Sequence, residues 1–155
     1  MKRIYVAGPF SNENTIEVFS NMRRGMRKAT ELLVRGYAPF CPWVDYHYSL
    51  MLLADEKIEK KDYWAYSLAF LDVCDAVLLL PNWKTSPGTL REIKRAEQLG
   101  IPVFTPEEEG PMYDYFEVLN DPYDPKAEEM IDWVDVKSDF STCPASECDG
   151  GECKC

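Results

Sequence analysis

The sequence is poor in positive charge and has a single histidine. Its 155 residues include 17 Lys and Arg against 27 Asp and Glu, which gives a formal net charge of −10 at pH 7. Because binding to a phosphate backbone relies on clustered Lys and Arg, this balance argues against DNA or RNA strands as partners. A small nucleotide is not excluded, since the backbone N–H groups at a helix start bind one phosphate whatever the net charge.

Long apolar runs are also absent. The apolar stretch at residues 4–7 is far shorter than the apolar core of a secretory signal or a membrane span. We therefore expect a cytoplasmic protein with no membrane partner. With 46% hydrophobic residues, the chain suits one domain with a tail and is too short for two ordinary domains.

The six cysteines fall into two groups. Cys41 and Cys74 lie in apolar runs, and we expect both to be buried as small hydrophobic side chains. The other four crowd the end of the chain, at Cys143, Cys148, Cys153 and Cys155. Four thiols are enough for a tetrahedral zinc site, but the usual paired C-x2-C spacing is missing. Zinc binding, disulfide or redox chemistry, and an irregular tail all stay open.

Turn residues and hydrophobic spacing predict strands that alternate with helices. Strands are predicted at residues 2–7, 37–41, 75–81 and 101–104, most of them bounded by Gly or Pro. Between them, apolar residues at helical spacing predict one helix that ends before Gly36, one around Trp64, and one at 89–99. This alternation predicts an α/β three-layer sandwich with a mostly parallel sheet, Rossmann-like or flavodoxin-like.

Composition divides the chain into three parts. We expect an α/β domain at 1–105 and a Cys-rich tail at 138–155. Between them, the segment at 106–137 is acidic and rich in aromatic residues, which predicts packing on the domain or on a neighbouring subunit.

The pattern of residues 74–92 predicts a buried strand, a polar loop and a helix whose first turns carry one carboxylate, Glu92. Such an arrangement builds small-molecule sites at strand ends. Two helix starts fit the sequence. Thr89 with Glu92 matches a capping box, whereas Ser86 as the cap with Pro87 in the first turn leaves Glu92 free to face the cleft.

Three segments, taken in order and spacing, resemble the nucleoside 2-deoxyribosyltransferase superfamily, including its nucleoside 5′-monophosphate N-glycosidase branch and related uncharacterised phage and bacterial proteins. They are the strand end Ala7-Gly8-Pro9-Phe10-Ser11, the helix end at 71–76, and the loop Ser86-Pro87-Gly88-Thr89-Leu90-Arg91-Glu92. The stretch at 96–103 also fits, so the resemblance covers about residues 1–105.

The resemblance implies cleavage or transfer at the N-glycosidic bond of a nucleoside or its 5′-monophosphate, with no cofactor. It makes Glu92 the catalytic carboxylate, which stabilises or attacks the anomeric carbon of an oxocarbenium-like state. With a reference pKa of about 4.3, we expect this Glu to be ionised without an activating base. The implied substrate-binding residues are Tyr5, Gly8, Pro9, Phe10, Ser11, Ser67, Ser86 and Gly88. The family is commonly homo-oligomeric.

The sequence departs from the family at Ser67, where many members have an aspartate that handles protons or orients the nucleophile. A serine is not an effective general acid near neutral pH, so the leaving base needs another proton source. Candidates are Asp62, Asp45 and His47, while Trp43, Tyr46 and Trp83 are candidates to stack on a base. Two rivals remain: a catalytically inactive nucleotide-binding module, and an interaction protein whose cysteine tail binds zinc.

Overall fold

The computed structural model describes residues 1–118. Within this part of the chain, four strands form one parallel sheet in the order β2-β1-β3-β4: β1 (Arg3–Ala7), β2 (Ala38–Phe40), β3 (Ala76–Leu79) and β4 (Val103–Phe104). The helices are α1 (Thr15–Val34), α2 (Tyr46–Met51), α3 (Lys60–Leu71), α4 (Pro87–Leu99) and α5 (Glu109–Val118). The predicted α/β sandwich with a parallel sheet is confirmed.

The sheet is covered on both faces, as the continuous apolar strands require. In β1, Ile4 and Val6 contact a cluster that includes residues of α1 and α5, whereas Tyr5 and Ala7 contact a cluster on α3 and α4. All four of these β1 residues are at most 1% exposed. Alternate side chains of a strand point to opposite faces, so β1 lies at the centre of both apolar layers.

The helix boundaries follow capping residues in the sequence. Asn14 caps α1, because its side chain accepts a hydrogen bond from the backbone of Ile16 at 2.9 Å. Ser86 caps α4, with its hydroxyl accepting from the Thr89 N–H at 3.3 Å and with Pro87 in the first turn. The capping-box alternative is therefore wrong, and Glu92 is free of a capping role.

Two ion pairs lie at the corners between helices and strands. Asp75 pairs with Arg3 at 2.9 Å, and Asp72 pairs with Arg95 at 2.6 Å. Both pairs join segments distant in sequence, and each arginine holds the pKa of its aspartate below the ordinary value. Each pair is partly exposed, so solvent screening keeps its contribution to stability small.

The segment after residue 105 begins by packing on the domain. In α5, Met112 has no exposed surface and Phe116 is buried, and both contact the cluster that includes Ile4 and Val6. Cys41 and Cys74 are buried free thiols, as predicted. The rest of the acidic segment and the cysteine tail lie outside the described residues. Among residues 1–118, no helix is long and apolar enough to cross a membrane.

Candidate active site

A cavity of about 880 Å³ opens where β1, β2 and β3 end. Its walls come from the segments that follow these strands, at 8–12, 42–46 and 82–92, together with side chains of α1 and α3. In a parallel sheet the carboxyl ends of neighbouring strands share one edge, which is where α/β proteins bind small molecules. The sequence predicted this location, because polar residues follow both β1 and β3.

Glu92 lies on the wall of the cavity and is held from below by Tyr5. The phenol of Tyr5 donates a hydrogen bond to Oε1 of Glu92 at 2.7 Å. Within the described residues this is the one hydrogen bond made by the Glu92 carboxylate, so Oε2 has no protein partner there. The arrangement fixes the carboxylate and leaves one oxygen available to a ligand.

The protonation of Glu92 differs from the expectation drawn from sequence. Burial raises the pKa of Glu92 from 4.5 to about 7, and the hydrogen bond from Tyr5 offsets only part of this shift. The expectation that Glu92 has an ordinary pKa is therefore wrong, because partial burial disfavours the charged form. Near neutral pH the protonated and ionised forms of Glu92 are present in comparable amounts.

Tyr5 does not line the cavity, although it was predicted to contact substrate. Its side chain has no exposed surface, and burial, followed by the nearby charge of Glu92, raises its pKa well above the ordinary value. Tyr5 is thus a neutral phenol that donates to Glu92. Ser67 is buried on the cavity wall, and it acts to lower the pKa of the same phenol, so Ser67 and Tyr5 form one polar cluster with Glu92.

Of the three acid/base candidates, Asp45 lies on the cavity wall. It is partly buried, and desolvation raises its pKa from 3.8 to about 6 against a backbone hydrogen bond from Tyr46. The other two lie elsewhere. Asp62 accepts a hydrogen bond from the backbone of Glu59 at the start of α3, and the exposed His47 contacts the Val44 carbonyl.

The turn after β1 and the start of α4 bring the remaining predicted residues to the cavity: Gly8, Pro9, Phe10, Ser11, Ser86 and Gly88. Gly8 is required by close packing, because an added Cβ would lie 2.8 Å from Cβ of Leu80. The side-chain amide of Asn21 donates to the Phe10 carbonyl at 3.2 Å and holds this turn. Backbone and hydroxyl groups from two strand ends therefore face one ligand space.

The aromatic candidates divide between the cavity and the core. Trp43 and Tyr46 both border the cavity, but Trp43 is only 3% exposed and belongs to the apolar core, where an added Cβ at Gly25 would lie 2.4 Å from its ring. Trp83 packs instead with the apolar cluster on α3 and α4. Of the three, Tyr46 therefore stays a candidate to stack on a base.

Part of the cavity wall was not predicted. Trp64 is 38% exposed and lines the cavity with Lys60 and Arg91. Helical spacing in α3 could have indicated this wall, since residues 60, 63, 64, 67 and 68 lie on one helix face. That face carries two aromatic residues, a lysine and a serine, a composition that suits a ligand better than a core.

No group of three or more His, Cys, Asp or Glu side chains within residues 1–118 could hold a metal ion. The zinc interpretation concerned Cys143, Cys148, Cys153 and Cys155, which lie outside the described residues. Cys41 and Cys74 stay protonated near neutral pH, because burial raises their pKa values to about 12 and about 11.

Comparison with known proteins gives a matching family model and similar solved structures. A family model described as a domain of unknown function (DUF4406) matches residues 2–105. The structure of a 2-deoxyribosyltransferase from the psychrotolerant bacterium Bacillus psychrosaccharolyticus is similar, with a TM-score of 0.48 and 22% sequence identity, over 66% of this chain and 70% of the other. A likeness at this level does not identify a function. No curated protein matches the sequence significantly.

Proposed function

We propose that this chain, which belongs to the family described as a domain of unknown function (DUF4406), cleaves the N-glycosidic bond of a nucleoside or nucleoside 5′-monophosphate. The observation that carries this proposal is the placement of Glu92. A partly buried carboxylate lies on the wall of a cavity at the strand ends, held through one oxygen by Tyr5 at 2.7 Å. Such a group suits attack on a sugar carbon that develops positive charge.

In the first step, ionised Glu92 attacks the anomeric carbon. An electron pair of Oε2 forms the new C–O bond as the C–N bond breaks, and the electron pair of that bond leaves on the base nitrogen. The product is a glycosyl ester of Glu92 and the free base. Partial burial of Glu92, which raises its pKa to about 7, makes the ester more favourable because it removes a poorly solvated charge.

The departing nitrogen needs a proton, and Asp45 is our candidate to supply it. It lies on the cavity wall, on the segment after β2, and its pKa of about 6 is close to that of a general acid that works near neutral pH. In this assignment the general acid is Asp45 and not the residue at position 67, where many members of the resembling family have an aspartate. Ser67 then helps Tyr5 to position Glu92.

In the second step, water or an acceptor base attacks the anomeric carbon and gives a proton to the ionised Asp45. The C–O bond to Glu92 breaks, and its electron pair stays on Oε2. Water gives a hydrolase, and a second base gives a transferase. The sugar end lies, in this proposal, between the turn at 8–11 and the start of α4, where Ser86 and Gly88 line the cavity. Free N–H groups at that helix start suit a hydroxyl or a 5′-phosphate.

Chromatography of the free base tests the proposal. A panel of nucleosides and 5′-monophosphates, each with and without an acceptor base, is incubated with the unmutated protein, with Glu92→Gln, and with Glu97→Gln. Glu97 is an exposed residue of the same helix outside the cavity, so its variant is a matched control. We expect release that is lost in Glu92→Gln and kept in Glu97→Gln. Ligand binding without release by the unmutated protein would instead support the binding-module alternative.

A further inference from the structure

The cavity has a basic side that the glycosidic step does not use. Arg91 of α4 and Lys60 of α3 both line it, with the indole of Trp64 between them. The guanidinium carbon of Arg91 lies 4.0 Å from the centroid of the Trp64 ring, and Nζ of Lys60 lies 5.2 Å from that ring. A partly exposed aromatic ring on the cavity wall therefore contacts two cations.

Neither cation has a carboxylate partner within residues 1–118. By contrast, Arg3, Arg95 and Lys28 each pair with an acidic side chain. In a protein with a formal net charge of −10, two neighbouring cations without a counter-charge fit an anionic ligand. A guanidinium that lies over an aromatic ring still carries five N–H donors, and these match phosphate oxygens well.

Arg91 and Lys60 form a basic cluster whose position relative to α4 indicates which part of a ligand it binds. Ser86 and Gly88, at the start of α4, line the same cavity as Arg91. Gly88 and Arg91 are three positions apart, so about 4.5 Å separates them along the helix axis. A first phosphate at the helix start would leave the next phosphates of a chain within reach of Arg91 and Lys60.

We propose that the substrate is a nucleoside 5′-polyphosphate, with its phosphates beyond the first bound by Arg91 and Lys60. This inference rests on the proposed function, because it requires the sugar to lie against Glu92. The cavity, at about 880 Å³, is within the range of sites that enclose ligands of this size. Affinity and turnover should therefore rise with the number of phosphates.

Calorimetric titration of the Glu92→Gln variant, which keeps the site and stops turnover, tests the inference. The probes are the four deoxynucleosides and their 5′-mono-, di- and triphosphates, in EDTA to keep divalent cations away. For the preferred base we expect the triphosphate to bind at least tenfold more tightly than the monophosphate. Equal affinities for the two would overturn the inference, as would inorganic triphosphate binding as tightly as the nucleotide.

Variants of the cations show whether Arg91 and Lys60 cause the preference. Lys60→Met and Arg91→Met are added together to the Glu92→Gln variant. The affinities for the triphosphate and the monophosphate should then differ by no more than about twofold. The affinity for the nucleoside should stay unchanged, which also verifies the fold. Lys84→Met is the matched control, since Lys84 lies over Trp83 outside the cavity and should keep the tenfold ratio. A ratio that survives the double substitution would overturn the inference.

Base release by the unmutated protein separates this inference from the proposed function. Release that is equally fast from nucleosides, mono-, di- and triphosphates leaves the glycosidic reaction standing and overturns the polyphosphate inference. Tight binding of the triphosphate with no release from any substrate overturns the glycosidic reaction instead.

Discussion

Replacing Glu92 by Gln should stabilise the protein, and the gain should grow with pH. The pKa of Glu92 is raised from 4.5 to about 7 in the folded state. An acid whose pKa is higher in the folded than in the unfolded protein stabilises the folded state while it is protonated. This contribution is fully present below the pKa of the unfolded state, near 4.5, and is lost as the pH rises to about 7. Glutamine has no proton to lose, so the variant escapes this loss.

The size of the effect follows from the two pKa values. Each unit of difference corresponds to about 1.4 kcal/mol, so ionisation of Glu92 costs the folded state up to about 3 kcal/mol above pH 7. Part of this cost is already present at pH 5, because the unfolded chain is largely ionised there. The stability gain of Glu92→Gln should therefore be about 2.5 kcal/mol larger at pH 8 than at pH 5.

Urea denaturation at the two pH values measures this difference. Glutamine still accepts a hydrogen bond from Tyr5. Any effect of the substitution on packing changes the free energy of unfolding by the same amount at pH 5 and pH 8, so it cancels in the difference. The exposed Glu97→Gln variant serves as the control for the loss of one carboxylate from the same helix. A gain of Glu92→Gln that is the same at both pH values would refute the conclusion that Glu92 is forced to ionise in an unfavourable environment.

Three further predictions concern the chemistry and the cavity wall. Because the proposed reaction needs Asp45 protonated and Glu92 ionised, with pKa values of about 6 and about 7, base release should have a bell-shaped pH profile with its maximum between these values. Asp45→Asn should slow release and abolish the decline on the alkaline side, as pH–rate profiles will show. Tyr5→Phe removes the 2.7 Å hydrogen bond, so it should raise the pKa of Glu92 and lower the rate about tenfold, measured by base release. Gly25→Ala places a Cβ 2.4 Å from the ring of Trp43 and should cost about 1–3 kcal/mol in urea denaturation.

Specific outcomes would contradict each of these. An Asp45→Asn profile that still declines at alkaline pH would remove Asp45 from the acid role. Unchanged rates in Tyr5→Phe would exclude a positioning role for the phenol. Gly110→Ala is the control for Gly25→Ala, because an added Cβ there meets no atom within 4 Å, and equal stability of the two variants would contradict the packing argument.

The fold was largely predictable because its signals are local. Gly36 and Gly100 follow the ends of α1 and α4 with positive φ values of +86° and +69°, a conformation that glycine adopts readily. The apolar strand at Ala76–Leu79 indicated a sheet covered on both faces. Helix ends were harder to predict, since both Thr89 and Ser86 fitted a cap in the sequence and the structure has Ser86 in that role.

The candidate site was predictable in location and only partly in detail. The motif around Glu92 and the turn after β1 are short in sequence, and their meeting at one sheet edge follows from parallel topology. The pKa of Glu92, the burial of Tyr5 and the exclusion of His47 depend on packing between distant segments, which spacing does not encode. Trp64 was not identified as a cavity residue because helical periodicity alone does not distinguish an apolar layer from a cavity lined by aromatic rings.

Trapping the glycosyl ester tests the central claim most directly. The unmutated protein is mixed with the substrate that releases base fastest, quenched in acid within the first turnovers, and analysed by intact and peptide mass spectrometry. We predict a mass increase equal to the glycosyl group, located on the peptide that contains Glu92 and absent from Glu92→Gln. Turnover with the adduct on another residue, or base release retained in Glu92→Gln, would contradict the assignment of Glu92 as the nucleophile.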